Sequence, residues 1–166
     1  MGLAGRLLSI VSSDVRAFHD DPSLQAFVHD SIERYGIKTF FETGSFRGDT
    51  LSWMARHEKT KNYSVENWFP YWFVSELRLH GRANIYLGDS RDRLWQALPW
   101  LEQPIMFWLD AHWRGNNPLA EEVNLIRRSG KRSIILIDDM DSPAIGTQKV
   151  DRMVGDTVPV GVIDLI

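Results

Sequence analysis

The chain has 166 residues, 43% of them hydrophobic and 25% charged, which excludes disordered, collagen-like and low-complexity classes and predicts one compact domain. It has no cysteine, so disulfide scaffolds, zinc fingers and thiol nucleophiles are excluded as well. Nineteen basic against 22 acidic residues, scattered along the chain, give a net charge of −3 and speak against a nucleic-acid partner bound through its phosphates.

At the N-terminus, Arg6 stands where a myristoylation motif needs Ser or Thr, and the apolar stretch Leu7 to Val11 is too short for the core of a signal peptide. No window approaches the length of a membrane span, so a soluble, cytoplasmic protein is expected. The run Asp20-Asp21-Pro22-Ser23 then reads as a helix start, with Pro22 in the first turn and acidic residues complementing the dipole. Leu24, Phe27, Val28 and Ile32 fall on one face of this helix, which is expected to pack on a sheet or over a site.

Three apolar runs, Ile37 to Glu42, Ile105 to Asp110 and Ser133 to Asp138, each end in an acidic residue. They lack alternation, which predicts strands of a parallel sheet covered on both faces. Asn62 to Glu66 and Ala83 to Leu87 are weaker runs of the same kind. Helical segments lie between them at Asp49 to Arg56, Pro70 to Leu79, Arg91 to Leu98 and Pro118 to Arg128, with Gly81 and Gly130 just past helix ends. The order is β-α-β-α-β-α-β-α-β in a single domain spanning 1–166. It divides into an N-terminal helical segment (1–35), an α/β core (36–140) and a short C-terminal segment (141–166).

Ligands of open α/β sheets sit outside the carboxyl ends of the strands. There the sequence places Glu42, Glu66, Gly88-Asp89-Ser90, Asp110 and Asp138-Asp139, a ring of acid along one edge. The first strand-to-helix turn, Glu42 to Thr50, carries glycines at 44 and 48 that let backbone approach a ligand closely, but it matches neither GxGxxG nor GxxxxGK[ST]. Glu66 is placed to accept hydrogen bonds from a ribose diol; an ordinary tight turn and a surface glutamate are the plain alternative. If the fourth and fifth strands are neighbours, Asp110, Asp138 and Asp139 come together. Such a cluster calls for a hard cation such as Mg²⁺, Mn²⁺ or Ca²⁺, unless the carboxylates are simply solvated at a rim or cap a helix.

On the loop after Asp110, His112 is a candidate base or oxyanion partner and Arg114 a candidate anchor for an anionic group. A lone loop histidine is otherwise a surface residue. Of seven tryptophans, Trp68, Trp72 and Trp113 are placed to form a stacking wall, whereas Trp53, Trp95 and Trp108 are assigned to the core.

Taken together, Phe41 to Thr50, Val65-Glu66-Asn67, Gly88 to Asp92, Met106 to Trp113 and Leu136 to Asp139 resemble, in this order, the motifs of the class I S-adenosylmethionine-dependent methyltransferases. Within that class they look like those of the metal-dependent O-methyltransferases of the catechol and macrocin type. The resemblance covers about Ile37 to Met140. It implies a Rossmann-like three-layer α/β sandwich with a mostly parallel sheet. It also implies S-adenosylmethionine bound by Glu42, Gly44, Phe46, Gly48, Thr50, Glu66, Asp89 and Ser90, and a divalent cation, Mg²⁺ first, held by Asp110, Asp138 and Asp139. The implied reaction is methylation of a small-molecule hydroxyl, with Asp110, His112 and Arg114 as catalytic residues.

Two departures stand out. The catechol-type pattern has a lysine base directly after the His-Trp that follows the metal Asp, whereas this chain inserts Ala111 and carries Arg114, a poor base. Moreover, only Met140 to Ile166 follow Asp139, where the family's seven-stranded sheet needs two more strands, and Val158 to Ile166 offer one at most. The sheet is then truncated, continues beyond this sequence, or is completed by a partner chain, and an apolar C-terminal edge would favour a homodimer. The rival functions are a degenerate S-adenosylmethionine-binding or interaction module and a metal-dependent hydrolase built on the aspartate cluster.

Overall fold

The computed structural model describes residues 16–111, 117–138, 151–154 and 159–164. Helix α1 (Pro22–Tyr35) starts as its sequence requires: the Asp21 carboxylate caps it by accepting from the Ser23 and Leu24 amides at 2.8 and 3.2 Å, and Gly36 ends it in the left-handed conformation. There follow β1 (Thr39–Thr43), α2 (Asp49–His57), β2 (Lys61–Glu66), α3 (Phe69–Leu79), β3 (Asn84–Leu87), α4 (Ser90–Ala97), β4 (Ile105–Leu109), α5 (Leu119–Ser129) and β5 (Ser133–Ile137). These are the expected elements, shifted by a residue or two at their ends.

The strands order as β3-β2-β1-β4-β5, all parallel, which is a Rossmann-like sheet. The sheet continues through β6 (Asp151–Val154) and β7 (Pro159–Asp164), giving the order β3-β2-β1-β4-β5-β7-β6 with β7 antiparallel to both neighbours. The single C-terminal strand expected from the sequence is therefore corrected to two. An antiparallel pair needs no long crossover, so a short stretch with charges, proline and glycine is enough to build it.

Alternate residues of each central strand feed two cores. Phe40, Met106, Trp108, Ile134 and Leu136 pack against Leu24, Val28 and Ile32 of α1, Leu51 and Met54 of α2, and Leu79 of α3. On the opposite face, Phe41, Val65, Phe107, Leu109, Ile135 and Ile137 meet Leu94 and Ala97 of α4 and Val123 and Ile126 of α5. Burial on both faces is why these strands read as continuous apolar runs. At the edge, two side chains satisfy carbonyls of β3: Trp72 Nε1 donates to Ile85 O at 3.0 Å and Arg93 Nη2 to Leu87 O at 2.8 Å. Trp72 is thus an edge cap rather than part of a stacking wall. Trp95, assigned to the core from sequence, is instead 65% exposed on α4, whereas Trp108 is fully buried.

Candidate cofactor and acceptor site

Strand register brings the carboxyl ends level, with Thr43 opposite both Val65 and Leu109, and Leu109 opposite Ile137. The ladder runs one residue further, through Asp110 N to Thr43 O at 3.1 Å and Asp138 N to Leu109 O at 3.0 Å. Backbone bonding thereby fixes where the acidic residues after β4 and β5 begin.

A cavity of about 310 Å³ opens above β1, β2, β3 and β4, lined by Gly44, Phe46, Glu66, Asp89, Ser90 and Asp110 among others. That volume is in the range of small-molecule sites. Gly44 lies at φ +84°, and a Cβ there would stand 2.7 Å from the Asp110 carbonyl oxygen, so only glycine lets the first turn pass this close to the loop after β4.

Glu66 is held by backbone amides: Phe46 N donates to Oε2 at 2.8 Å, Trp68 N to Oε1 at 2.9 Å, and Asn67 supplies a third. Three amides leave at least one of the carboxylate's four lone-pair sites for a ligand hydroxyl. Burial raises its pKa above the ordinary carboxylate value, and the amide bonds from Trp68, Phe46 and Asn67 act against that rise. Asp89 caps α4 and is clasped by Arg91, whose Nη2 lies 2.6 Å from Oδ2; this bond holds the Asp89 carboxyl below its ordinary value.

Trp68 and Tyr71 complete one wall as an aromatic corner, with Tyr71 packed 4.4 Å from Trp68 and 4.3 Å from Phe46, centroid to centroid. Sequence reasoning found Trp68 but missed Tyr71, although it stands three residues on along the same helix.

Three residues expected at the cofactor surface lie behind it. Glu42 is buried beneath the turn, where its Oε2 accepts from Ser64 Oγ at 3.3 Å, and burial pushes its carboxyl up to about 8. Thr50 bonds to the same carboxyl. Gly48 sits at φ +72° against Ser75 and Leu79.

A second cavity, about 170 Å³, is lined by Leu109, Asp110, Ala111, Asn117, Leu119, Glu122 and Asp138. It shares Asp110 and Ala111 with the first. Two of the three expected metal ligands, Asp110 and Asp138, face this one space; Asp139, like His112, Trp113 and Arg114, lies outside the described residues. Among the described residues no group of three or more His, Asp and Glu side chains is placed to hold a metal ion. The two aspartates are nonetheless hard oxygen donors of the kind Mg²⁺ takes, whereas the Asn117 amide oxygen accepts from Leu119 N at 3.1 Å.

One side chain at this end has no signal in the sequence. His19 Nε2 lies 2.9 Å from Asp138 Oδ2. It is delivered by a short left-handed stretch in which Phe18, His19 and Asp20 all have φ between 51 and 59°. Phe18 anchors that stretch, fully buried edge-on against Phe40, Trp53 and Trp108. His19 is therefore one of the contacts that orient Asp138.

Fold and edge together define a Rossmann-like domain with its ligand site at the carboxyl ends of the strands. Comparison with solved structures finds the same fold in several O-methyltransferases. An O-methyltransferase from Bacillus cereus, in complex with S-adenosylhomocysteine, superposes with a TM-score of 0.66 at 14% identity over 95% of this chain and 87% of that one. TomG from Streptomyces achromogenes, an O-methyltransferase involved in tomaymycin synthesis and solved with S-adenosylmethionine, gives 0.62 at 16% identity over 92% and 86%. An RNA methyltransferase from Salinibacter ruber in complex with S-adenosyl-L-homocysteine gives 0.58 at 14% over 85% and 91%. No protein-family model matches the sequence, and no curated protein matches it.

Proposed function

We propose that the chain is an S-adenosylmethionine-dependent O-methyltransferase that acts on a hydroxyl of a small molecule with the help of a divalent cation. The observation that carries this reading is the larger cavity, where the glycine turn is pressed against the Asp110 backbone and Glu66 is held ready at the lip. In the proposal, Glu66 receives the ribose hydroxyls, Asp89 and Ser90 border the adenine, and Phe46, Trp68 and Tyr71 form the wall beside them. Asp110 belongs to both cavities, so the acceptor is bound in the smaller one, next to the methyl group. The acceptor oxygen would form its bond to the methyl carbon as the carbon–sulfur bond breaks, with the hydroxyl proton passing to water and S-adenosylhomocysteine leaving. Asp110 and Asp138, with Asp139, would hold the cation, which supplies the positive charge that lowers the hydroxyl's pKa. Holding the two reactants in line supplies much of the acceleration.

Calorimetric titration of S-adenosylmethionine into the protein, with Mg²⁺ and then with EDTA, tests the reading beside a Glu66→Ala variant. Saturable binding that weakens by about tenfold or more in the variant supports it, since a charge-assisted bond to a ribose diol is lost. No binding under either condition leaves a shared fold without the activity, and moves the hydrolase and interaction-module readings ahead.

A further inference from the structure

Glu122 is a residue that neither the sequence motifs nor the proposed reaction employs. It lies in the first turn of α5, is 1% exposed, and lines the smaller cavity. Two hydroxyls serve the carboxyl: Thr43 Oγ1 donates to Oε2 at 3.4 Å, and Ser90 also hydrogen-bonds to it. Its Oε1 is fully buried and has no hydrogen-bond partner of ordinary geometry. A buried carboxylate oxygen in this condition is costly unless a water, an ion or a ligand group meets it.

The surroundings determine the kind of ligand. Asp110 and Asp138 line the same cavity, and among its described lining residues there is neither lysine nor arginine. A divalent cation on the aspartates would leave the Glu122 charge unbalanced, and a neutral hydroxyl there would leave it so too. An ammonium group brings one positive charge and up to three N–H donors, which match an orphaned carboxylate oxygen. Leu109, Ala111 and Leu119 give apolar surface for the carbon that bears it.

Resting on the methyltransferase reading, we propose that Glu122 anchors an ammonium group of the methyl acceptor, so that the substrates are small hydroxy compounds that also carry an amine. Without ligand, burial pushes the Glu122 carboxyl up to about 7, as expected for a site whose counter-charge arrives with the substrate.

Tyramine and 4-ethylphenol, identical but for the ammonium group, are the probes. Each is titrated into the protein saturated with S-adenosylhomocysteine and Mg²⁺, by calorimetry and by NMR with labelled leucine methyls. The expected result is that tyramine binds about tenfold more tightly than 4-ethylphenol and shows contacts to the Leu119 methyls, and that Glu122→Gln brings the two within about twofold. Unchanged S-adenosylhomocysteine affinity in the variant shows that it is folded. Equal affinities in the wild type, no binding of either probe, no contact to Leu119, or a preference that survives in Glu122→Gln each overturns the proposal. So does a variant that loses Mg²⁺ while keeping the preference, which would assign Glu122 to the metal. Failure of S-adenosylhomocysteine itself to bind instead counts against the methyltransferase reading on which the proposal rests.

Discussion

Three carboxylates at this sheet edge differ in state because their surroundings differ. Asp89 is kept ionised by Arg91, Glu66 is raised by burial yet steadied by backbone amides, and Glu42 is raised to about 8 by burial that its hydroxyl partners only partly offset. Glu42 is therefore protonated in the folded protein at neutral pH while its unfolded counterpart, near 4.5, is ionised. Between these values the native state binds the extra proton, so stability is full below pH about 4.5 and falls as pH rises towards about 8. The slope from this group is at most about 1.4 kcal/mol per pH unit. Glutamine mimics the protonated acid, so Glu42→Gln removes that slope and makes the protein more stable than wild type at pH 8. Urea unfolding at pH 5, 6.5 and 8 measures it; parallel losses in the two proteins would mean that Glu42 is ionised in the fold. Glu122, raised to about 7, adds a slope of the same sign over a narrower pH range, and it remains in both.

Among the elements, β3 carries the most exposed liability, because it is an edge strand whose outward carbonyls are met by Trp72 and Arg93. Trp72→Phe keeps most of the ring packed on the core but leaves Ile85 O to solvent. The expected cost is about 1 kcal/mol, seen as a melting temperature lower by about 2–4 °C, with concentration-dependent self-association through the edge. A variant that melts like wild type and stays dispersed in light scattering would show that the indole bond is dispensable. The five parallel strands were legible because each is buried on both faces and ends in an acid, a pattern local to a few residues. The bond from His19 to Asp138 was not, since the partners are 119 residues apart and are joined through a left-handed stretch that no periodicity encodes. Nor was Glu122, which in a helix spelled Leu-Ala-Glu-Glu reads as part of a solvated first turn. Trp95 failed for the opposite reason: a large ring was assigned inward although its helix position faces out.

In the whole molecule, the two cavities adjoin along the carboxyl edge of the sheet. The larger is built at the ends of β1 to β4 from the glycine turn, Glu66 and Asp89, whereas Glu122 and Asp138 line only the smaller one. Their shared boundary is Asp110 and Ala111, and Gly44 rests on the backbone of Asp110 rather than on its carboxylate. In the proposed function, cofactor binding would depend on that backbone, which the ladder bond to Thr43 holds in place. Coupling between sites is reciprocal, so a cation that scarcely alters cofactor affinity must itself be scarcely altered by the cofactor. EDTA, and separately Asp138→Asn, are accordingly expected to leave the dissociation constant for S-adenosylhomocysteine within about threefold of wild type, while methyl transfer to an accepted hydroxy compound falls by about a hundredfold or more. Measured together, the two quantities divide the readings: cofactor affinity that drops tenfold on metal removal would make the cavities one electrostatic unit, and turnover that survives EDTA would remove the cation from the mechanism altogether.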